Sequence, residues 1–167
     1  MNVKVPRVRQ IAWISLLPQL AIMFLLVMVW RSIVEDDQNG LLYGLANYLI
    51  LSKLLRELIP ISHRKGMLKV RTNDYAEAIP YFERSYAFFD QHAWLDDYRY
   101  LTILSSSAIS FREMALLNMA FCHSQIGNAR QSKALYQRTL SEFPNSGMAI
   151  TALKQIETWE NEHTGQD

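Results

Sequence analysis

Hydrophobic residues follow two regimes along the chain. From Ile11 to Trp30, twenty consecutive residues carry no charge, and as a helix rising about 1.5 Å per residue they would span about 30 Å, the thickness of a bilayer's hydrocarbon core. After Pro60 the apolar positions recur at helical spacing instead, broken by short polar turns. The pattern predicts a membrane anchor over residues 1–61, a soluble helical domain over 62–162 and a disordered tail over 163–167.

Residues 11–30 are read as a transmembrane helix. The apolar run exceeds the usual core of a signal peptide and lacks a small-x-small cleavage site at its end. A buried core helix would show polar positions at helical spacing, whereas here only Pro18 and Gln19 interrupt the block. The second apolar stretch, residues 41–59, is uncharged only as far as Ser52. Beyond it Leu54, Leu55, Leu58 and Ile59 alternate with Lys53, Arg56 and Glu57. It is either the return arm of a helical hairpin or an amphipathic helix along the headgroups with snorkelling basic side chains.

Charge separates these alternatives. Lys4, Arg7 and Arg9 precede the first span, Arg31 stands among Glu35, Asp36 and Asp37 in a connecting loop over residues 31–40, and six bases follow from Lys53 to Arg71. Basic residues favour the cytoplasmic side, and a hairpin places both basic clusters there, leaving the acidic loop outside. Trp30 and Tyr43 suit the aromatic belt of one interface. Gln19 and Asn47 would seek hydrogen bonds inside the bilayer, either within the hairpin or with another membrane protein.

The segment GMLKVRTNDYAEAIPYFERSYAFF places Gly66, Ala78 and Phe82 at intervals of twelve and four residues, with Asn73 and Asp74 as a polar turn between them. Ala120, Ser132 and Tyr136 keep the same intervals around Gly127 and Asn128, and Pro144 follows as a closing residue. Both segments resemble the tetratricopeptide repeat, in which paired helices touch where side chains are small and an aromatic fills the gap. The copies depart from the family pattern at Ser132, at Ser85 and Thr139, and at Asp90. The resemblance implies an all-α fold: a transmembrane helical hairpin, a short helix-turn-helix array, and a capping helix from Gly147 to about Glu162 with Ile150, Leu153 and Ile156 on one face.

Equivalent positions of the copies, Ala78 and Ser132, lie fifty-four residues apart, against a family period of about thirty-four. An insertion over residues 91–110 makes up the difference. Its Trp94, Tyr98 and Leu101 fall at helical spacing, as an extra helix covering the join between repeats or as a recognition element. Ser110 followed by Glu113 has the spacing of a helix-capping pair, with Ser107 as an alternative.

By resemblance, the array binds a protein partner along the inner face of its first helices. That groove would use Met67, Val70 and Arg71, then Leu117, Asn118, Phe121 and Gln125, then Thr151 and Gln155, with Trp94 and Tyr98 added from the insertion. The basic clamp with which some relatives grip a terminal carboxylate is matched only at Asn118.

Composition narrows the function further. After residue 71 twelve acids stand against seven bases, leaving no basic face for nucleic acid. Cys122 is the single cysteine, so no intrachain disulfide forms. Cys122 and His123 are adjacent but point about 100° apart on a helix, and His63, His92, His123 and His163 fall in no ligand spacing. Asp96 and Asp97 read as a solvated turn. No metal, cofactor, small-molecule substrate or catalysis is expected. The whole resembles small bacterial membrane-anchored tetratricopeptide proteins, an adaptor or scaffold in the cytoplasmic membrane with its repeats facing the cytoplasm. The alternative is an accessory subunit of a membrane complex, held chiefly through its spans.

Overall fold

The structure is a computed structural model that describes residues 16–34 and 36–164. Among these residues every regular element is a helix. The start of the expected span, residues 11–15, and residues 165–167 of the expected tail lie outside the described residues. The described residues divide into two compact units, one containing residues 16–61 and 92–108, the other residues 62–91 and 109–164.

The first unit is built on α1 (Leu16–Ile33) and α2 (Asp37–Leu58), which pack against each other as a hairpin. Their connection is much shorter than the loop expected over residues 31–40, because α2 is capped by Asp36 and starts at Asp37. Asp36 is the N-cap of α2, its carboxylate accepting hydrogen bonds from Gln38 N at 3.0 Å and Asn39 Nδ2 at 2.7 Å. A carboxylate there satisfies amides that the helix leaves unpaired and complements its dipole. Gly40 and Gly44, four residues apart on α2, let the backbones close to contact: a Cβ at Gly40 would lie 3.0 Å from Arg31 Cα, and one at Gly44 2.5 Å from Val27 Cα. Trp30 and Tyr43 flank this contact with ring centroids 5.5 Å apart.

The hairpin points its apolar side chains outward. Leu17, Leu20, Phe24, Leu25 and Met28 of α1 and Leu41, Leu42, Leu49 and Ile50 of α2 are exposed, while Gln19 and Ser52 are buried. Among the described residues α1 is the one helix long and apolar enough to cross a membrane by length and composition. Core helices and signal sequences pass the same test, but a core helix would be buried, and α1 is mostly exposed.

Residues 92–108, most of the insertion, cluster with this unit. They form two short helices, α5 (Ala93–Asp97) and α6 (Arg99–Thr102), and a tail that turns at Leu104, where φ is 51°. Arg99 holds the tail by donating to Asp96 O at 2.9 Å, Ser107 O at 2.9 Å and Ala108 O at 3.0 Å. Arg56 of α2 donates through Nε, at 2.9 Å, and through Nη2 to Leu104 O. The guanidinium expected to snorkel toward headgroups is therefore a clamp on the insertion. Ile103 and Leu104 are buried beneath it.

The second unit contains two helix pairs and a final helix. The first pair is α3 (Ile61–Arg71) and α4 (Tyr75–Gln91), the second α7 (Phe111–Gln125) and α8 (Ala129–Glu142), followed by α9 (Gly147–Thr164). The inter-helix corners are the same device fifty-four residues apart. Asn73 (φ 61°) and Gly127 (φ 78°) take the left-handed conformation. Asp74 N donates to Lys69 O and Asn73 N to Val70 O, as Asn128 N does to His123 O and Gly127 N to Ser124 O. Each is a Schellman closure, in which a left-handed residue lets two amides satisfy carbonyls the helix leaves open.

The small-residue positions perform the expected packing. At Gly66 an added Cβ would lie 2.8 Å from the Phe82 ring, so the absent side chain makes the space in which Phe82 is buried. Ala78, Ala120 and Ser132 are buried as well, and full burial of a ring such as Phe82 contributes about 3 kcal/mol. The continuous core joins Ala78, Phe82 and Ala120 to Ala115, Leu116, Met119, Cys122 and Leu135. Helix α4 packs on α7, α7 on α8 and α8 on α9, the order of a helical-repeat stack. Ser110 caps α7, its Oγ accepting from Glu113 N at 3.1 Å. In α9 the inner face is Ala149 and Leu153, whereas Ile150 is exposed. The helix continues through Thr164, two residues into the segment read as a tail.

Candidate partner-binding cleft

Helices α7, α8 and α9 line an open cleft of about 420 Å³. One wall is the end of α7 with Phe121, Ser124 and Gln125, the floor is Ala129, Ser132 and Tyr136 of α8, and the far wall is Ala152, Gln155, Ile156, Trp159 and Glu160 of α9. The small residues Ala129, Ser132 and Ala152 leave room between helices that larger side chains would fill. The aromatic and aliphatic groups of Phe121, Tyr136, Ile156 and Trp159 supply apolar surface, Trp159 being 60% exposed. Phe121 is held by an edge-on contact with Tyr75, ring centroids 5.8 Å apart.

Polar groups surround this surface. Gln125 and Gln155 are exposed amides on opposite walls. Lys133 donates to Glu160 Oε2 at 2.6 Å, tying α8 to α9 beside the cleft. Ser132 Oγ is buried with no hydrogen-bond partner among the described residues. Burial, reinforced by the nearby Cys122, pushes the Tyr136 phenol above its ordinary pKa, and burial pushes the Cys122 thiol up to about 11. Both groups are neutral at physiological pH, and Cys122 is a core side chain rather than a nucleophile.

Of the residues expected along a groove, Phe121, Gln125 and Gln155 come together here. Leu117 is buried at 7% exposure, and Met67 and Val70 are half-buried against the core. Thr151 is half-buried, its Oγ1 donating to Gly147 O at 2.8 Å. Arg71 is exposed at the end of α3 and Asn118 half-buried on α7, neither among the cleft residues. Trp94 and Tyr98 are exposed in the other compact unit. Sequence reasoning missed Tyr136, Ile156 and Trp159 as a group. Their signal was present in α9, where Ala152, Ile156 and Trp159 recur at intervals of four and three, the spacing of one helical face.

Residues 114–146 match the family model described as Tetratricopeptide repeat. Neither the curated proteins nor the solved structures provide a match to the chain. The matched segment takes in most of α7, all of α8 and the turn before α9, and with them Ala120, Ser132, Tyr136 and the left-handed corner at Gly127. Such repeats are typically non-catalytic folds that bind other proteins. Packing, corner geometry and family model agree on a tetratricopeptide repeat at residues 114–146.

Proposed function

We propose that this protein is a membrane-anchored adaptor that holds a segment of a partner protein in the cleft between α7, α8 and α9. The cleft itself carries the reading: an apolar trough bounded by Phe121, Ile156 and Trp159 with amides on two sides. Apolar walls take the anchoring side chains of a peptide or helix, and Gln125 and Gln155 can pair with its backbone or polar flank. No catalytic role is assigned to any residue.

The outward apolar faces of α1 and α2 support the anchoring half of the proposal. Contacts pairing Val27 with Gly44 and Arg31 with Gly40 run α2 antiparallel alongside α1, which supports a hairpin over one span followed by a helix lying flat. We place it in a bacterial cytoplasmic membrane, both ends and the repeats on the cytoplasmic side, as the basic clusters before residue 10 and after residue 52 direct. Gln19 would favour a second membrane protein as the main contact if it faced outward. It is 5% exposed, which supports the cleft rather than the spans as the partner surface.

Photocrosslinking in native membranes tests the proposal. A benzoylphenylalanine at Gln155 is expected to give a discrete protein adduct that Trp159→Ser diminishes, while the same group at Gln137, exposed on α8 and outside the cleft, gives none. Equal labelling at both positions, or none at Gln155, would refute it.

A further inference from the structure

The insertion's outer face is assigned neither to the cleft nor to the hairpin's own packing. Trp94, Tyr98 and Leu101 are 57%, 54% and 43% exposed. They stand four and three residues apart across the α5–α6 junction at Tyr98, Tyr98 N donating to Trp94 O at 3.0 Å and Leu101 N to Tyr98 O at 2.8 Å, and together make up the segment's exposed apolar surface. Beneath it the segment is well fixed: Asp96 and Ile103 are fully buried, Arg99 gathers three carbonyls, and Thr102 Oγ1 donates to Leu95 O at 2.7 Å. The segment thus turns Asp96 inward and leaves two aromatics and a leucine exposed beside one exposed acid, Asp97.

Its attachment sets its depth. Arg56, which clamps Leu104 O, stands four residues beyond Ser52, where the uncharged part of α2 stops. At about 1.5 Å per residue that is about 6 Å along the helix, so if α2 lies in the bilayer, Leu104 sits at the headgroup layer. Tryptophan and tyrosine concentrate at that layer, where the ring is apolar and its edge can hydrogen-bond. Exposed Lys53 on the same part of α2 supplies a cation for phosphate headgroups.

We propose that the insertion is a second membrane contact, with Trp94, Tyr98 and Leu101 embedded in the headgroup region of the bilayer that holds the hairpin. It lies on the surface without crossing, and its occupant is lipid rather than a protein partner. The inference rests on the anchoring reading above and adds a face that reading does not require.

Lipid quenching separates the two. Full-length protein with Trp13, Trp30 and Trp159 replaced by Phe, leaving Trp94, is reconstituted into phosphatidylcholine–phosphatidylglycerol vesicles with bromines placed shallow or deep on the acyl chains. Trp94 emission is expected to be blue-shifted, shielded from aqueous acrylamide, and lost most strongly with shallow bromines. A companion protein retaining only Trp30 reports the hairpin. If Trp30 is quenched by brominated lipid and Trp94 responds only to acrylamide, the insertion faces water and this proposal falls alone. If brominated lipid quenches neither, both readings fall. If Trp94 is shielded from acrylamide yet untouched by either lipid, a protein covers this surface, and the lipid assignment is overturned.

Discussion

Val27 and Gly44 meet backbone to side-chain position: a Cβ at residue 44 would lie 2.5 Å from Val27 Cα and 2.8 Å from Val27 Cγ2. With Gly40 against Arg31, this makes Gly40-Leu41-Leu42-Tyr43-Gly44 a small-xxx-small contact that sets the hairpin's register. Gly44→Leu is expected to push the helices apart, with an overpacking cost of about 1–3 kcal/mol. Spin labels at Leu17 and Leu54, both exposed, read the separation in full-length protein. The distance distribution is expected to lengthen and broaden in Gly44→Leu; an unchanged one would show that the glycines do not set the contact.

His63 makes the repeat unit sensitive to acid. It is buried between Phe82 and Phe111, ring centroids 5.3 and 5.5 Å away, with Ser85 Oγ 3.5 Å from Nδ1. Burial disfavours the imidazolium and lowers its pKa to about 4 from 6.5. The unfolded chain therefore binds a proton at a pH where the folded chain does not. Its stabilising effect is complete above about pH 6.5 and is lost as pH falls toward 4, in total about 3 kcal/mol. Thermal unfolding of the repeat unit, followed in the full chain, is expected to weaken over that window in wild type and to flatten in His63→Gln. An equal slope in both would contradict the buried neutral imidazole.

Arg56 ties the insertion to α2 through one carbonyl, at a residue whose left-handed φ of 51° is costly for leucine. Arg56→Ala leaves Leu104 O without these donors. Amide hydrogen exchange is expected to rise over residues 99–108, with the amides of α7 and α8 unchanged, because those helices belong to the other compact unit. Faster exchange across both units would mean that Arg56 supports the whole chain rather than one segment.

Much of this arrangement was legible in residue spacing. Gly66, Ala78 and Phe82, and Ala120, Ser132 and Tyr136, marked both helix pairs because a missing side chain on one helix is what admits a ring from the next. Ser110 was recognised as a cap because its role is local. The groove was less legible. Leu117 and Met67 lie on the faces expected for binding, but those faces are also the ones that turn into the core, and periodicity alone does not divide the two. Nor does it tell where a segment goes in space: the insertion's aromatics were visible, whereas its attachment to α2 depends on a contact between residues 48 positions apart, Arg56 and Leu104. Arg56 looked like a snorkelling cation because snorkelling and carbonyl clamping draw on the same side chain.

The adaptor reading and the insertion's lipid contact both depend on the hairpin residing in a bilayer. Alkaline carbonate extraction of membranes carrying the full-length chain tests this most directly, since it strips peripheral proteins and leaves those embedded in the hydrocarbon core. The chain is expected to remain with the bilayer, in wild type and in a Trp94→Ser/Tyr98→Ser/Leu101→Ser variant alike, because the outward leucines and phenylalanine of α1 and α2 hold it. Release of the wild-type chain into the supernatant as a monomer would contradict the account at its base.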